Sequence, residues 1–167
     1  MHWLTILCYN TSMTVTFCGH RSVFGSELAL SEQIDEELAK IFKAASRARE
    51  RLCFYCGGYG AFDRLAENAI DRLRNKFADV ECEKILVTPY IGRFRSENTE
   101  QMRARYDDTV YPSLETVPYR LAIVRRNEWM VLCSDIVIAF VQHRWGGAAA
   151  TLKYAQRKGK NIIYLHG

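Results

Sequence analysis

Apolar residues along this chain alternate between two spacings. Leu30, Ile34, Leu38, Ile41, Phe42 and Ala45 recur every three or four positions, with Glu32, Asp35, Glu36 and Lys40 between them. That period places one apolar stripe on a helix. Ser26 supplies its N-cap, and the helix is predicted to run to about Arg51. Phe62, Leu65, Ala66, Ala69, Ile70, Leu73 and Phe77 mark a second amphipathic helix. Residues 120–133 and 148–158 predict two more, the last stopped by Gly159. Between them lie short runs without helical period: Thr14–Cys18, Leu52–Cys56, Lys84–Thr88, Asp135–Val141 and Asn161–Leu165. The run at Asp135–Val141 is almost continuously apolar, which suits a strand covered on both faces. Strands alternating with helices predict an α/β protein, a Rossmann-like three-layer sandwich around a mostly parallel sheet of about five strands.

Ile91–Tyr119 breaks this rhythm. It is polar, holds Gly92, Pro112 and Pro118, and gathers Arg93, Arg95, Arg103 and Arg105 with Tyr106, Tyr111 and Tyr119. So long an excursion in a compact domain predicts a lid or binding loop, with room for a short helix over Glu97–Tyr106. Residues 13–167 read as a single domain carrying this insert at about 91–119. Met13 opens a start-like sequence, MTVTFCGHR, so residues 1–12 read as an N-terminal extension or an extra edge strand. The extension lacks the basic region and small-residue cleavage site of a signal peptide. No run reaches the ~18 apolar residues of a membrane helix. The expectation is a cytoplasmic protein with no membrane partner.

Composition changes this picture little. The 167 residues are 49% hydrophobic and 25% charged, with a net charge of +4. That mild excess suits an anionic small molecule and argues against a nucleic-acid groove. Of the six cysteines, Cys53 and Cys56 have the CxxC spacing of redox and zinc motifs. On a strand, however, residues three apart point to opposite faces. No second pair or histidine couple completes a metal set. Reduced thiols are expected, with no metal and no cofactor.

Candidate chemistry collects where strands end. In open parallel sheets ligands sit at the carboxyl ends of the strands, near the point where strand order reverses. The first strand exits to Gly19, His20 and Arg21. The second exits to Gly57, Gly58, Gly60 and Asp63, the third to Pro89 and Tyr90, and the fourth to Trp145, Gly146, Gly147 and Thr151. A strand feeding Gly146-Gly147 and a helix start presents free N–H groups and the positive helix end to an anion. Gly57-Gly58 offers a second close backbone approach. Arg21 or Arg126 can add charge-assisted bonds to a phosphate. His20 can donate to phosphate or act as a base. Tyr90 or Trp145 can stack on a base, and Asp63 can accept from a ribose hydroxyl. No GxGxxG fingerprint is present, which argues against a dinucleotide dehydrogenase.

Several of these stretches resemble a known superfamily. Arg126-Asn127-Glu128-Trp129-Met130, Ser134-Asp135, Ile138-Ala139, Gly146-Gly147 and Thr151 are similar to motifs of the Lonely Guy phosphoribohydrolases and of the SLOG superfamily that joins them to the DNA-processing protein A family. More specifically, TFCGHR, FYCGGYGAFD, ILVTPY, the Tyr111-Pro112 to Ile123 stretch, RRNEWMV, SDIVIAFV and GGAAATLKYA resemble the small YpsA-like branch of bacteria and their phages, from about Met13 to the C-terminus. The resemblance implies a nucleotide-binding Rossmann-like fold, a homodimer or higher homo-oligomer, and a ligand such as a nucleoside monophosphate, ADP-ribose or an NAD-derived or cyclic signal. It also places Asn127 and Met130 beside Arg126 at the ligand. The chain departs from the hydrolase motif PGGxGTxxE: the proline is absent, the threonine comes one residue later, and no carboxylate lies between Gly146 and the C-terminus. A ribohydrolase needs an acid or base at the glycosidic bond. Only Asp63, Glu67 or Glu128 can substitute. The expectation is therefore a sensor or sequestering protein with no catalytic residue, for instance a phage protein that captures an NAD-derived defence signal. A nucleotide N-glycosidase or phosphoribohydrolase is the alternative.

Overall fold

The computed structural model describes residues 12–90 and 98–167. Residues 1–11 and the side chains of Arg93, Arg95 and Arg103 lie outside that description, and with them the proposed extension and most of the basic cluster. The chain runs β1 (Ser12–Gly19), α1 (Glu27–Ala48), β2 (Arg51–Cys56), α2 (Ala61–Lys76), β3 (Cys82–Val87), α3 (Asn98–Arg105), β4 (Asp108–Val110), α4 (Ala122–Leu132), β5 (Ile136–Phe140), α5 (Gly146–Arg157) and β6 (Asn161–Tyr164). A single 3-10 turn, Tyr119–Leu121, leads into α4.

The six strands form one sheet in the order β4-β3-β2-β1-β5-β6. Every pairing is parallel, so each connection crosses over a face of the sheet. The sheet therefore has six strands where five are predicted. The extra one, β4, is three residues at an edge, paired with β3 from Ile85↔Asp108 to Val87↔Val110. Asp108-Thr109-Val110 is too short and polar to announce a strand. The short helix predicted inside the insert is present as α3.

Period and burial agree within each layer. Val15, Phe17, Leu52, Phe54, Ile136, Ile138 and Phe140 point to one face and pack with Leu30, Ile34, Leu38 and Phe42 of α1 and Phe62, Ala66 and Ile70 of α2. Cys18, Val137 and Ala139 point to the other, against Val131 of α4 and Ala155 of α5. Cys56 belongs to the first cluster and Cys53 does not, as a strand requires. All five residues of β5 are buried, as expected for a strand sandwiched between layers. The Ser26 hydroxyl caps α1 by accepting from the Ala29 N–H at 3.2 Å. No helix among the described residues is long and apolar enough to cross a membrane.

Strand order grows outward from β1 to β4 on one side and continues with β5 and β6 on the other. The reversal falls between β1 and β5, whose carboxyl ends diverge into different loops. The fold rule places a ligand crevice there.

Candidate functional site

A cavity of about 490 Å³ opens at that switch point. Its size falls within the ordinary range for small-molecule sites. The end of β1 contributes Cys18, Gly19, His20 and Arg21. The loop after β2 contributes Gly57 and Tyr59, and α2 contributes Asp63. Ile123, Arg126, Asn127 and Met130 project from α4. His143, Trp145, Gly146, Gly147 and Thr151 come from the exit of β5 and the start of α5.

The start of α5 leaves its backbone donors without a side-chain cap. Its N-cap, Trp145, is extended and makes no side-chain capping bond. The first N–H groups of the helix are thus left for water or a ligand. Gly146 has φ +88°, a left-handed conformation that glycine adopts without strain. A Cβ added at Gly147 meets nothing within 4 Å, so this glycine leaves open space beside the helix end. Thr151 accepts from Asn127 Nδ2 at 3.3 Å and donates to the Gly147 carbonyl at 2.8 Å, tying α4 to the first turn of α5.

Arg126 supplies a positive charge to the cavity wall. Only 3% of it is exposed. Nη1 donates to the carbonyls of Gly57 at 2.8 Å and Val87 at 2.7 Å, and the guanidinium lies 5.5 Å from the centre of the Tyr59 ring. Its Nε is buried without a hydrogen-bond partner. A buried N–H of that kind costs about 1–3 kcal/mol while unpaired. Asp63 is the sole carboxylate among the described residues that line the cavity. Its Oδ2 accepts from the Tyr59 N–H at 2.8 Å. Burial pushes its carboxyl up to about 6, against the downward pull of the Tyr59 N–H and Arg126.

An aromatic column stands at the mouth. His143 lies 5.0 Å from His20, 5.2 Å from Trp145 and 6.0 Å from Phe24, centre to centre. Trp145 is 73% exposed and Phe24 64%. His20 Nε2 accepts from the His143 N–H at 3.2 Å. Burial, then the neighbouring His143, hold the His20 imidazole below its ordinary range. Its Nε2 lone pair is therefore committed to the backbone, and only the other ring nitrogen remains for a ligand.

The structure gathers Gly19, His20, Arg21, Gly57, Asp63, Arg126, Asn127, Met130, Trp145, Gly146, Gly147 and Thr151 around this cavity. Gly58, Gly60, Pro89 and Tyr90 are not part of its lining. Gly60 is glycine for backbone reasons: its φ is +104°, and a Cβ would sit 2.7 Å from the Arg21 Cα. Tyr90 stacks on Tyr119 at 4.4 Å instead of facing the crevice. Gly19 lines the cavity, yet a Cβ there would meet the Phe62 ring at 2.1 Å, so packing alone demands glycine. Glu67 is buried beneath Tyr106, which donates to it at 2.5 Å, and Arg105. Glu128 pairs with Arg125 at 2.6 Å and lines a separate groove. Of the three candidate substitute carboxylates, only Asp63 reaches the cavity. Ser134-Asp135 lies at the far end of the strands, where Asp135 Oδ2 accepts from the Thr14 N–H at 2.8 Å and locks β5 to β1. Sequence reasoning missed Phe24, Tyr59 and His143. The strand-exit rule that selects Trp145 covers His143 too, two residues earlier.

Together, fold and cavity define a Rossmann-like α/β protein with a crevice at the sheet's switch point. No protein-family model and no curated protein matches the chain. Among solved structures it is similar to DNA processing protein A from Helicobacter pylori, described for its single-stranded DNA binding mode, with TM-score 0.60 and 17% identity. That likeness covers 94% of this chain but 66% of the other, and it shows a shared fold. The Moco carrier protein of Chlamydomonas rheinhardtii matches with TM-score 0.48 and 15% identity, over 92% of this chain and 76% of that one.

Proposed function

We propose that this protein binds a nucleotide-derived anion, such as ADP-ribose or an NAD-derived or cyclic nucleotide signal, and acts as a sensor or sequestering protein. One observation carries the reading: the uncapped start of α5 and the buried, partly unpaired guanidinium of Arg126 line the same cavity. A phosphate there pairs with the free N–H groups of the helix start, and the Arg126 guanidinium adds a favourable charge from the wall. The exposed ring of Trp145 gives a base a face to stack on. The resemblance to the YpsA-like branch supports the finer version, capture of an NAD-derived signal by a phage protein.

Calorimetry with ADP-ribose, cyclic ADP-ribose isomers and nucleoside monophosphates tests the reading. Binding at micromolar concentrations is expected, and no heat across the panel sinks it. Gly147→Val is expected to abolish binding with an unchanged melting temperature, because its side chain stands in open space at the cavity wall. Native affinity in that variant removes the α5 start from the site.

Asp63 favours a second reading, hydrolysis of the ligand's N-glycosidic bond, since a carboxyl that titrates near neutrality in a cavity suits acid–base work. Chromatography of the incubated panel separates the two: free base means an enzyme, intact ligand a binder. The homo-oligomer implied by the resemblance stays a proposal. Leu121, Val124 and Leu132, each about two-fifths or more exposed at or on α4, support it.

A further inference from the structure

Asp63 accepts from the Tyr59 N–H through one oxygen, which leaves the role of the other open in a cavity read as an anion site. Ion-pairing is the obvious role, yet no salt bridge joins it to Arg126. Both instead crowd one point: a Cβ on Gly57 would lie 3.2 Å from Asp63 Oδ2 and 3.3 Å from Arg126 Nη1. Oδ2 is held by the Tyr59 N–H. The described residues make no hydrogen bond to Oδ1, and Asp63 lines the same cavity as Arg126. An anion bound there meets an ionised Asp63 as a like charge in a poorly solvated space, which is costly. A neutral carboxylic acid reverses the sign, because its O–H donates.

Resting on the binding reading above, we propose that Asp63 is a specificity-determining contact that holds the anion as a neutral acid, donating from Oδ1 to a ligand oxygen, so that capture of the anion takes up one proton. The protein supplies the conditions. Burial already shifts the free carboxyl to about 6, and an arriving negative charge raises it further. The charged and titratable groups around it are Arg126 of α4, Glu67 one turn along α2, and Tyr59 from the loop after β2. The thiols of Cys18 on β1 and Cys56 on β2 are both pushed up by burial and stay neutral. Arg21, His20 and His143 line the same cavity. The histidines can contribute protons of their own, so the comparison that matters is between Asp63 and its isosteric amide.

The experiment is calorimetric titration with ADP-ribose, whose phosphates do not titrate near neutrality. It is run at several pH values, in buffers of different ionisation enthalpy, on the wild-type protein and on Asp63→Asn. Wild-type binding should take up about one proton more than the variant at neutral pH, and its dissociation constant should rise about tenfold more per pH unit above the carboxyl's range. Asp63→Asn keeps a donor at the same place, so its affinity at mildly acidic pH should stay within about threefold of wild type. Equal proton uptake in the two proteins overturns the proposal and leaves the binding reading standing. That result would return Asp63 to the role of a carboxylate accepting from a hydroxyl. No binding at any pH overturns both.

Discussion

At the scale of single residues, glycines that look alike in the sequence answer to different demands. Gly19 yields to the Phe62 ring and Gly60 to the Arg21 backbone, whereas Gly147 faces open space. Only the last has nothing in the protein to explain the missing side chain. Glycine spacing alone does not carry this distinction, because it depends on which ring or backbone arrives from elsewhere. The place of Asp63 at a strand exit was legible but its state was not, since desolvation is a property of the packed cavity. Burial pushes its carboxyl up from the ordinary 3.8 to about 6. The native protein therefore holds a proton the unfolded chain releases, and stability falls as pH rises from about 4 to about 6, then levels. Asp63→Asn removes a desolvated charge. It should raise stability by about 1–3 kcal/mol at pH 7.5, a gain that shrinks as pH falls toward 4. Urea unfolding at both ends of that range checks it, and a gain independent of pH would show that Asp63 does not titrate as assigned.

At the scale of elements, the helices and the five long strands were readable because each carries enough residues to show its period. β4 was not. It is held by contacts made sideways: the Lys84 N–H donates to Asp107 Oδ2 at 2.7 Å, Arg74 pairs with the same carboxylate, and Tyr106 reaches the buried Glu67. These partners lie 23 to 39 residues away in sequence, beyond any local pattern. The Glu67 cluster fastens the insert to α2, so Tyr106→Phe should loosen the edge. A loss of about 1–3 kcal/mol is expected, from leaving Glu67 one bond short. Hydrogen exchange should quicken at Asp108–Val110 more than in β1. Unchanged protection would mean that strand pairing alone holds β4.

For the whole molecule, alternation of strands and helices was enough to specify a parallel sandwich, and the strand-exit rule then pointed to the rim on which the cavity opens. The strand order was not readable, so the choice among four exits was open. Pairing of β1 with β5 opens the cavity between their exits, the loop after β2 adds Gly57 and Tyr59, and the β3 exit at Pro89-Tyr90 is left outside its lining. The exposed apolar residues on α4 carry the remaining prediction. Light scattering after size exclusion should give a mass above the 19.3 kDa chain, and Leu132→Asp should return it to the monomer. A monomer at high micromolar concentration removes the oligomer.

The β1–β5 pairing also has a consequence in time. Val15 meets Ile136 across 121 intervening steps of chain, while β1, β2 and β3 pair through much shorter loops. Closing the longer loop costs more entropy and slows the step that depends on it. A chain emerging from the ribosome can assemble β1 to β4 before β5 exists. The crevice is completed only when β5 docks on the free edge of β1, after β1 to β4 have emerged. Ligand affinity is then a readout of finished folding, and a chain truncated before Ile136 should retain much of its sheet yet bind nothing.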